Sequence, residues 1–222
     1  MPEGARLQLD YYKNGIMHAV VAEAIVASTL LADPNGMPTP DAPIPRVRAR
    51  ERARKLSRIL KYEFIFSPGV DFDSLFDDAV RTLSKEGVVG GGEGGLFVEP
   101  SRASYARLFA GSIEHFLEAY AFAARGLSLL REEAKTERTL LQEILEIAQK
   151  SFLTGDLKRF ESANKLIFEN ALRYFRDEGV LGEVPAEDEG DKGLVQLAPA
   201  YASDEALAAL EKSIRALMAK AE

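Results

Sequence analysis

The sequence predicts a mainly α protein: a helical domain built from two winged-helix-like repeats, each ending in a small β-hairpin. Three observations predict it. Apolar residues recur at three- and four-residue steps through most of the chain, the helical period. Short apolar runs flank glycine-containing turns in two places, Val88 to Val98 and Val180 to Leu197. Both places belong to an internal repeat. Phe76-Asp77-Asp78-Ala79-Val80-Arg81 matches Phe168-Glu169-Asn170-Ala171-Leu172-Arg173, and Lys85-Glu86-Gly87-Val88-Val89 matches Asp177-Glu178-Gly179-Val180-Leu181. Gly95-Leu96-Phe97-Val98 is matched to Gly193-Leu194-Val195-Gln196.

The elements follow in order. Residues 1–32 form an N-terminal helical segment, with Leu9, Tyr12, Ile16, Val20, Ala24 and Ala27 on one face. Residues 33–45 hold five prolines and read as a loop. The first repeat covers 46–103: a strongly basic helix over 46–64, an amphipathic helix over 72–86 ending at Gly87, and a hairpin with a loose tip at Gly90 to Gly95. A long connecting helix spans 104–133, with Leu108, Phe109, Phe116, Leu117 and Tyr120 among its inward residues. The second repeat and C-terminal helix cover 134–222. They comprise a helix over 137–152, a turn at Gly155, a helix from about Leu157 or Glu161 to Glu178, a hairpin around the acidic segment 186–191, and a last helix capped by Ser203.

Composition sets limits. The 222 residues suffice for one large domain or two small ones, and 46% hydrophobic residues support a proper core. The absence of cysteine excludes disulfides, thiol nucleophiles and thiolate metal sites, and fits a reducing compartment. A net charge of −7 favours solubility and argues against nucleic acid as the main partner. The N-terminus lacks a secretory signal pattern. The apolar stretch from Gly15 to Ala32 is interrupted by His18 and Glu23 and reads as a core helix rather than a membrane span.

Four features invite a chemical reading. His18 and Glu23 form His-x-x-x-x-Glu, but five helical steps turn the two side chains about 140° apart, so a polar pair at a helix interface is the simpler reading. His115, Glu114 and Glu118 share a short helical stretch, a pattern common without any metal. The glycine run lacks the Lys and Ser or Thr of a phosphate-binding loop and is followed by a strand. The basic helix stands out. Arg46, Arg48, Arg50, Arg52, Arg54, Lys55, Arg58 and Lys61 oppose only Glu51, while Ala49, Ala53, Leu56 and Leu60 line a narrow apolar stripe. Three readings are open: a solvated face neutralised by Asp71, Asp73, Asp77 and Asp78, a surface for anionic lipid headgroups, or a phosphate-binding face for nucleic acid.

Several segments resemble a known family. Leu9-Asp10-Tyr11-Tyr12-Lys13-Asn14, followed by His18 and Glu23-Ala24, is similar to the start of the C-terminal region of the glycerol-3-phosphate and dihydroxyacetone-phosphate acyltransferases. Glu63-Phe64-Ile65-Phe66, Phe76 to Val89, Phe116 to Tyr120, and Asn170-Ala171-Leu172 leading into Gly179-Val180-Leu181 extend the likeness. The chain departs from the family in lacking its acyltransferase domain, the His-x-x-x-x-Asp motif and the Phe-x-Glu-Gly block, and in carrying Ala22 where a proline is expected.

The resemblance implies a setting in glycerophospholipid synthesis at a membrane. The expected role is non-catalytic: a C-terminal domain of, or partner to, a glycerol-3-phosphate O-acyltransferase-like enzyme, with no acylation by the chain alone. No catalytic residue, cofactor or metal ligand is assigned. The expected partners are an acyltransferase catalytic domain or subunit, docked through Tyr11, Tyr12, Asn14 and His18, and an anionic membrane surface, met weakly by Arg46, Arg48, Arg50, Arg52, Arg54, Lys55 and Arg58. The expected location is cytoplasmic, peripheral at the inner face of the cell membrane. The rival is a tandem winged-helix module for nucleic acid or protein. The acidic residues Glu161, Glu169, Asp177 and Glu178 in the second repeat argue against nucleic acid there.

Overall fold

A computed structural model describes residues 20–64, 71–184 and 193–219. The described chain is mainly helical, with small antiparallel hairpins. It divides into two compact units: residues 1–114 with 217–222, and residues 115–216.

In the first unit, α1 covers residues 20–31, and α2 (Arg46–Ile59) and α3 (Phe72–Lys85) follow. The Asp71 side chain accepts from the amides of Asp73 and Ser74, satisfying donors that the first turn of α3 leaves open. Strands β1 (Val89–Gly92) and β2 (Gly95–Val98) form the hairpin, and Ile44, just before α2, pairs with Leu96 on the far side of β2. Leu30, Leu56, Leu83 and Leu96 are fully or almost fully buried in this unit. The chain re-enters it at Leu217, whose carbonyl accepts from Ser28 Oγ at 2.9 Å.

The second unit repeats the order. Helix α4 (Ala103–Gly126), whose residues 103–114 belong to the first unit and 115–126 to the second, is followed by β3 (Lys135–Thr136), α5 (Glu137–Thr154), α6 (Lys165–Asp177), β4 (Leu181–Glu183), β5 (Leu194–Leu197) and α7 (Asp204–Arg215). Asn164 caps α6 as Asp71 caps α3. Its three strands run β3-β5-β4, so β3 flanks β5 as Ile44 flanks β2. The core is aromatic. Tyr120, Phe122, Phe168 and Phe175 are almost wholly buried, with Phe122 and Phe168 ring centroids 6.2 Å apart.

The helix-to-hairpin junctions match bond for bond. The Gly87 amide donates to Ser84 O and that of Val88 to Leu83 O; the Gly179 amide donates to Arg176 O and that of Val180 to Phe175 O. Both glycines have positive φ, +67° and +70°, the left-handed turn that closes such a cap. Beyond the hairpins, Glu99 donates to Val88 O as Ala198 donates to Val180 O. This register aligns Leu96 with Val195 and Val98 with Leu197, one residue away from the expected match of Gly95-Leu96 to Gly193-Leu194. A one-residue slip turns each side chain to the other face, and burial decides the register: Leu96 and Val195 are both buried.

Three further expectations are corrected. The glycine run is not a loose tip, because β1 and β2 pair up to Gly92 and Gly95, leaving a two-residue turn. The Phe97 ring lies where a Gly90 side chain would be, and Gly91, at φ +107°, has the Gly95 carbonyl 2.1 Å from the position a Cβ would take. Leu108 is 72% exposed rather than inward. The helix expected after Gly155 starts only at Lys165, because a buried carboxylate holds the intervening segment in another shape. That carboxylate is Glu118, on α4. It accepts from the amides of Lys158 (2.8 Å) and Arg159 (3.2 Å) and from Ser162 Oγ (2.6 Å), with the Arg159 guanidinium at 3.8 Å.

Candidate functional site

The basic helix lies on α2, where Ala49, Ala53, Leu56 and Ile59 form the buried stripe. Arginines at every fourth position from Arg46 face α3. Arg46 and Arg50 donate to Asp77 Oδ1 at 2.7 and 2.8 Å, and Arg54 donates to Asp73 Oδ1 at 2.7 Å. The guanidinium groups of Arg46 and Arg50 lie 5.8 and 5.4 Å from the Phe76 ring centroid, and that of Arg54 lies 5.3 Å from Phe72. Arg48 approaches buried Asp33 at 3.6 Å, and Arg52 donates to the Ala32 carbonyl just past α1. Burial pushes the Arg52 pKa down, against the opposing pull of Asp33. Lys55 and Arg58 are exposed. Three of the seven arginine and lysine residues assigned to an anionic surface thus pair with aspartates of α3.

These pairs make one pH dependence. The hydrogen bond from Arg46, followed by that from Arg50, holds the Asp77 carboxyl below the usual aspartate range. A carboxylate depressed in the folded state contributes stability that is complete above its unfolded value, near 4, and is lost as pH falls through the folded value. Asp77 is 38% exposed, so screening keeps the contribution to about 1 kcal/mol or less. Asp77→Asn is expected to lower the thermal midpoint at pH 7, with the deficit shrinking below about pH 3. Circular dichroism melts at both pH values check this, and an equal deficit at both would rule out the ion pairs as its cause.

The other candidates resolve differently. Tyr11, Tyr12, Asn14 and His18 lie outside the described residues, and Glu23 is half-buried on α1. The His115 ring packs at 3.9 Å on Phe116, and Glu118 is committed to the segment after α5. Among the described residues, no group of three histidine or acidic side chains is placed to hold a metal ion. No described helix is long and apolar enough to cross a membrane.

One feature escaped the sequence reading. A cleft of about 800 Å³ opens between α5 and α6, lined by Arg138, Leu141, Leu145, Asn170 and Arg173 among others. No motif marks it, since its lining comes from two helices at helical spacing. Its signal lay in the repeat: Arg50 and Arg54 of α2 correspond to Leu141 and Leu145 of α5.

Comparison with known proteins sets this geometry in a family. The profile described as the glycerol-3-phosphate acyltransferase C-terminal region matches residues 1–184. The chain belongs to that family. The mycobacterial proteins named "Putative acyltransferase plsB1", from Mycobacterium bovis and Mycobacterium tuberculosis, are 24% identical to it over 198 residues. The match takes in 84% of this chain and 30% of each relative. Membership of the acyltransferase C-terminal region agrees with the likeness first seen in Tyr11-Tyr12-Lys13-Asn14 and in the two repeats.

Proposed function

We propose that the chain acts as a non-catalytic C-terminal domain of, or partner to, a glycerol-3-phosphate O-acyltransferase-like enzyme of glycerophospholipid biosynthesis. It supports the catalytic domain and its contact with the inner face of the cell membrane. The observation that carries this reading is the family match over residues 1–184. The segment with Tyr11, Tyr12, Asn14 and His18 is proposed to dock the catalytic domain. Val47, Tyr105 and Leu108, exposed at 68%, 49% and 72%, offer further apolar contact in the first unit. Both units are proposed to be winged-helix-like. The strand order, with the short leading strand beside the second hairpin strand, supports that reading.

Membrane contact is proposed to be weak and peripheral. Arg46, Arg50 and Arg54 reach across to α3, so Arg48, Lys55 and Arg58, elsewhere on α2, carry most of the contact. At about 1 kcal/mol per basic residue near an anionic surface, three residues orient a domain without anchoring it.

Affinity-tagged chain recovered from its own cells is expected to co-purify with a polypeptide carrying His-x-x-x-x-Asp, and the complex to acylate glycerol 3-phosphate. The purified chain alone is expected to give no turnover. Turnover by the chain alone that disappears in His18→Ala overturns the non-catalytic reading. Recovery without any acyltransferase overturns the partnership. Co-sedimentation with anionic liposomes that Lys55→Glu with Arg58→Glu leaves unchanged overturns the membrane contact, and tighter salt-sensitive binding to duplex DNA favours the nucleic-acid rival.

A further inference from the structure

We infer that the tip of the α5–α6 helix pair is a membrane-contact surface, in which Leu153, Phe160 and Leu166 enter an anionic bilayer and Lys150, Lys158 and Lys165 meet its headgroups. The inference rests on the membrane contact proposed above and places a further contact, with an apolar component, on the second unit.

The ion pair of Glu137 with Arg176 joins the start of α5 to the end of α6, so the two helices run antiparallel. The end of α5, the start of α6 and the segment between them therefore form one tip. Among the described residues, seven large apolar side chains are exposed, and four of them lie here: Ile147, Leu153, Phe160 and Leu166. The last three are 83%, 52% and 62% exposed. The fold holds them there. Glu118, buried on α4, binds the amides of Lys158 and Arg159 and the Ser162 hydroxyl, which fixes the backbone on both sides of Phe160. The Phe152 ring meets the Phe160 ring edge-on, with centroids 5.4 Å apart. Asn164 caps α6 through the amides of Leu166 and Ile167, which sets Leu166 in an ordered first turn. Apolar side chains gathered at one exposed place in a fixed shape mark an interaction surface.

Charge decides the occupant. The second unit, residues 115–216, is acidic, with 19 aspartates and glutamates against 13 lysines and arginines. Residues 147–166 reverse that sign. Lys150, Lys158, Arg159 and Lys165 stand against Asp156 and Glu161, a net charge of +2 with every group counted, paired or not. Arg159 lies 3.8 Å from Glu118 and Lys165 lies 3.5 Å from Glu169, while Asp156 shares a hollow with Arg125. Lys150 and Lys158 are exposed, and among the described residues neither has a carboxylate at ion-pair distance. A lysine stem lies along acyl chains while its ammonium stays with the headgroups. An anionic surface attracts this tip and repels the acidic remainder of the unit, so the field turns the tip towards the bilayer. Exposed leucine and phenylalanine interspersed with lysine suit that boundary, which offers an apolar interior behind negative charge.

The chain contains no tryptophan, so Phe160→Trp places a single reporter at the tip. The whole chain is mixed with vesicles of equal parts phosphatidylglycerol and phosphatidylcholine, and with vesicles of phosphatidylcholine alone. The emission of Phe160→Trp is expected to shift to the blue, and to be quenched by brominated acyl chains, with the anionic vesicles only. Leu153→Asn with Leu166→Asn is expected to weaken co-sedimentation with anionic vesicles by about tenfold or more, with the helical signal intact because both residues are exposed. Lys150→Glu with Lys158→Glu is expected to weaken it as well. Sedimentation that Lys55→Glu with Arg58→Glu abolishes and both tip variants leave unchanged overturns this inference and leaves the α2 contact standing. Sedimentation with no change in tryptophan emission does the same. No sedimentation with anionic vesicles overturns the membrane contact itself, and this inference with it. An equal response to neutral vesicles overturns the inference, and so does a blue shift produced by a co-purified acyltransferase but not by vesicles, which makes the tip a protein-docking face.

Discussion

Glu118→Ala is expected to lower the stability of the chain by about 3–5 kcal/mol, the cost of leaving buried partners of a carboxylate uncompensated. Glu118 is 2% exposed. Its two oxygens take two backbone amides and a hydroxyl from the segment between α5 and α6, and the Arg159 guanidinium adds charge. Alanine removes every acceptor at once and strands Lys158 N, Arg159 N and Ser162 Oγ in a site with little access to water. Glu118→Gln keeps the shape and one carbonyl acceptor, so it loses roughly half as much. Urea unfolding gives the size of the effect. Hydrogen exchange gives its place: the Lys158 and Arg159 amides, in the segment between α5 and α6, lose protection in both variants before α4 does. A loss below about 1 kcal/mol in Glu118→Ala would falsify the role assigned to this carboxylate.

Phe168→Ala costs a similar amount, about 3–5 kcal/mol. Phe168 is fully buried on α6, beside Phe122 of α4. Truncation removes most of a ring's buried surface and leaves a cavity that neighbouring aromatics on fixed helices fill only in part. For a chain of this size the midpoint falls by roughly 10 °C. Phe168→Leu keeps most of the volume and loses about 1–1.5 kcal/mol. Differential scanning calorimetry of the two variants separates cavity from chemistry, because equal losses would mean that ring shape rather than volume sets the cost.

Much of the fold was legible in the sequence where one helix face alone is buried. α3 carried its apolar stripe, its Asp cap and its closing glycine in a short stretch and appears close to its expected limits; α6 ends close to its expected limit at its closing glycine but starts later than expected. β3 was not legible, because two residues, Lys135 and Thr136, are too short a run to show an alternating pattern and pair only through tertiary position with β5. The hairpin register was misjudged because the Gly-Leu pair recurs at Gly95-Leu96 and Gly193-Leu194, whereas burial aligns Leu96 with Val195. The candidate site divides in the same way. The arginines of α2 and the aspartates of α3 were visible as charges, and their pairing was one of three open readings. The cleft beside α5 was invisible because it is a difference in reach between side chains on helices far apart in sequence. Glu118 looked like one of three generic ligands near His115, and nothing local showed that its partners lie about forty residues on.

The matching topology of the two units carries a hazard during folding. A chain that contains two similar helix pairs can join a helix of one pair to its counterpart's mate. The contrast in charge between the pairs opposes this. α2 laid against α6 would set Arg54 against Lys165, and α5 laid against α3 would set Glu137 against Asp77. Like charges in close apposition penalise both mismatched pairings, whereas Arg46 with Asp77 and Glu137 with Arg176 attract. The divergence of α2 from α5 thus does more than open a cleft: it gives each helix a partner that the other cannot replace.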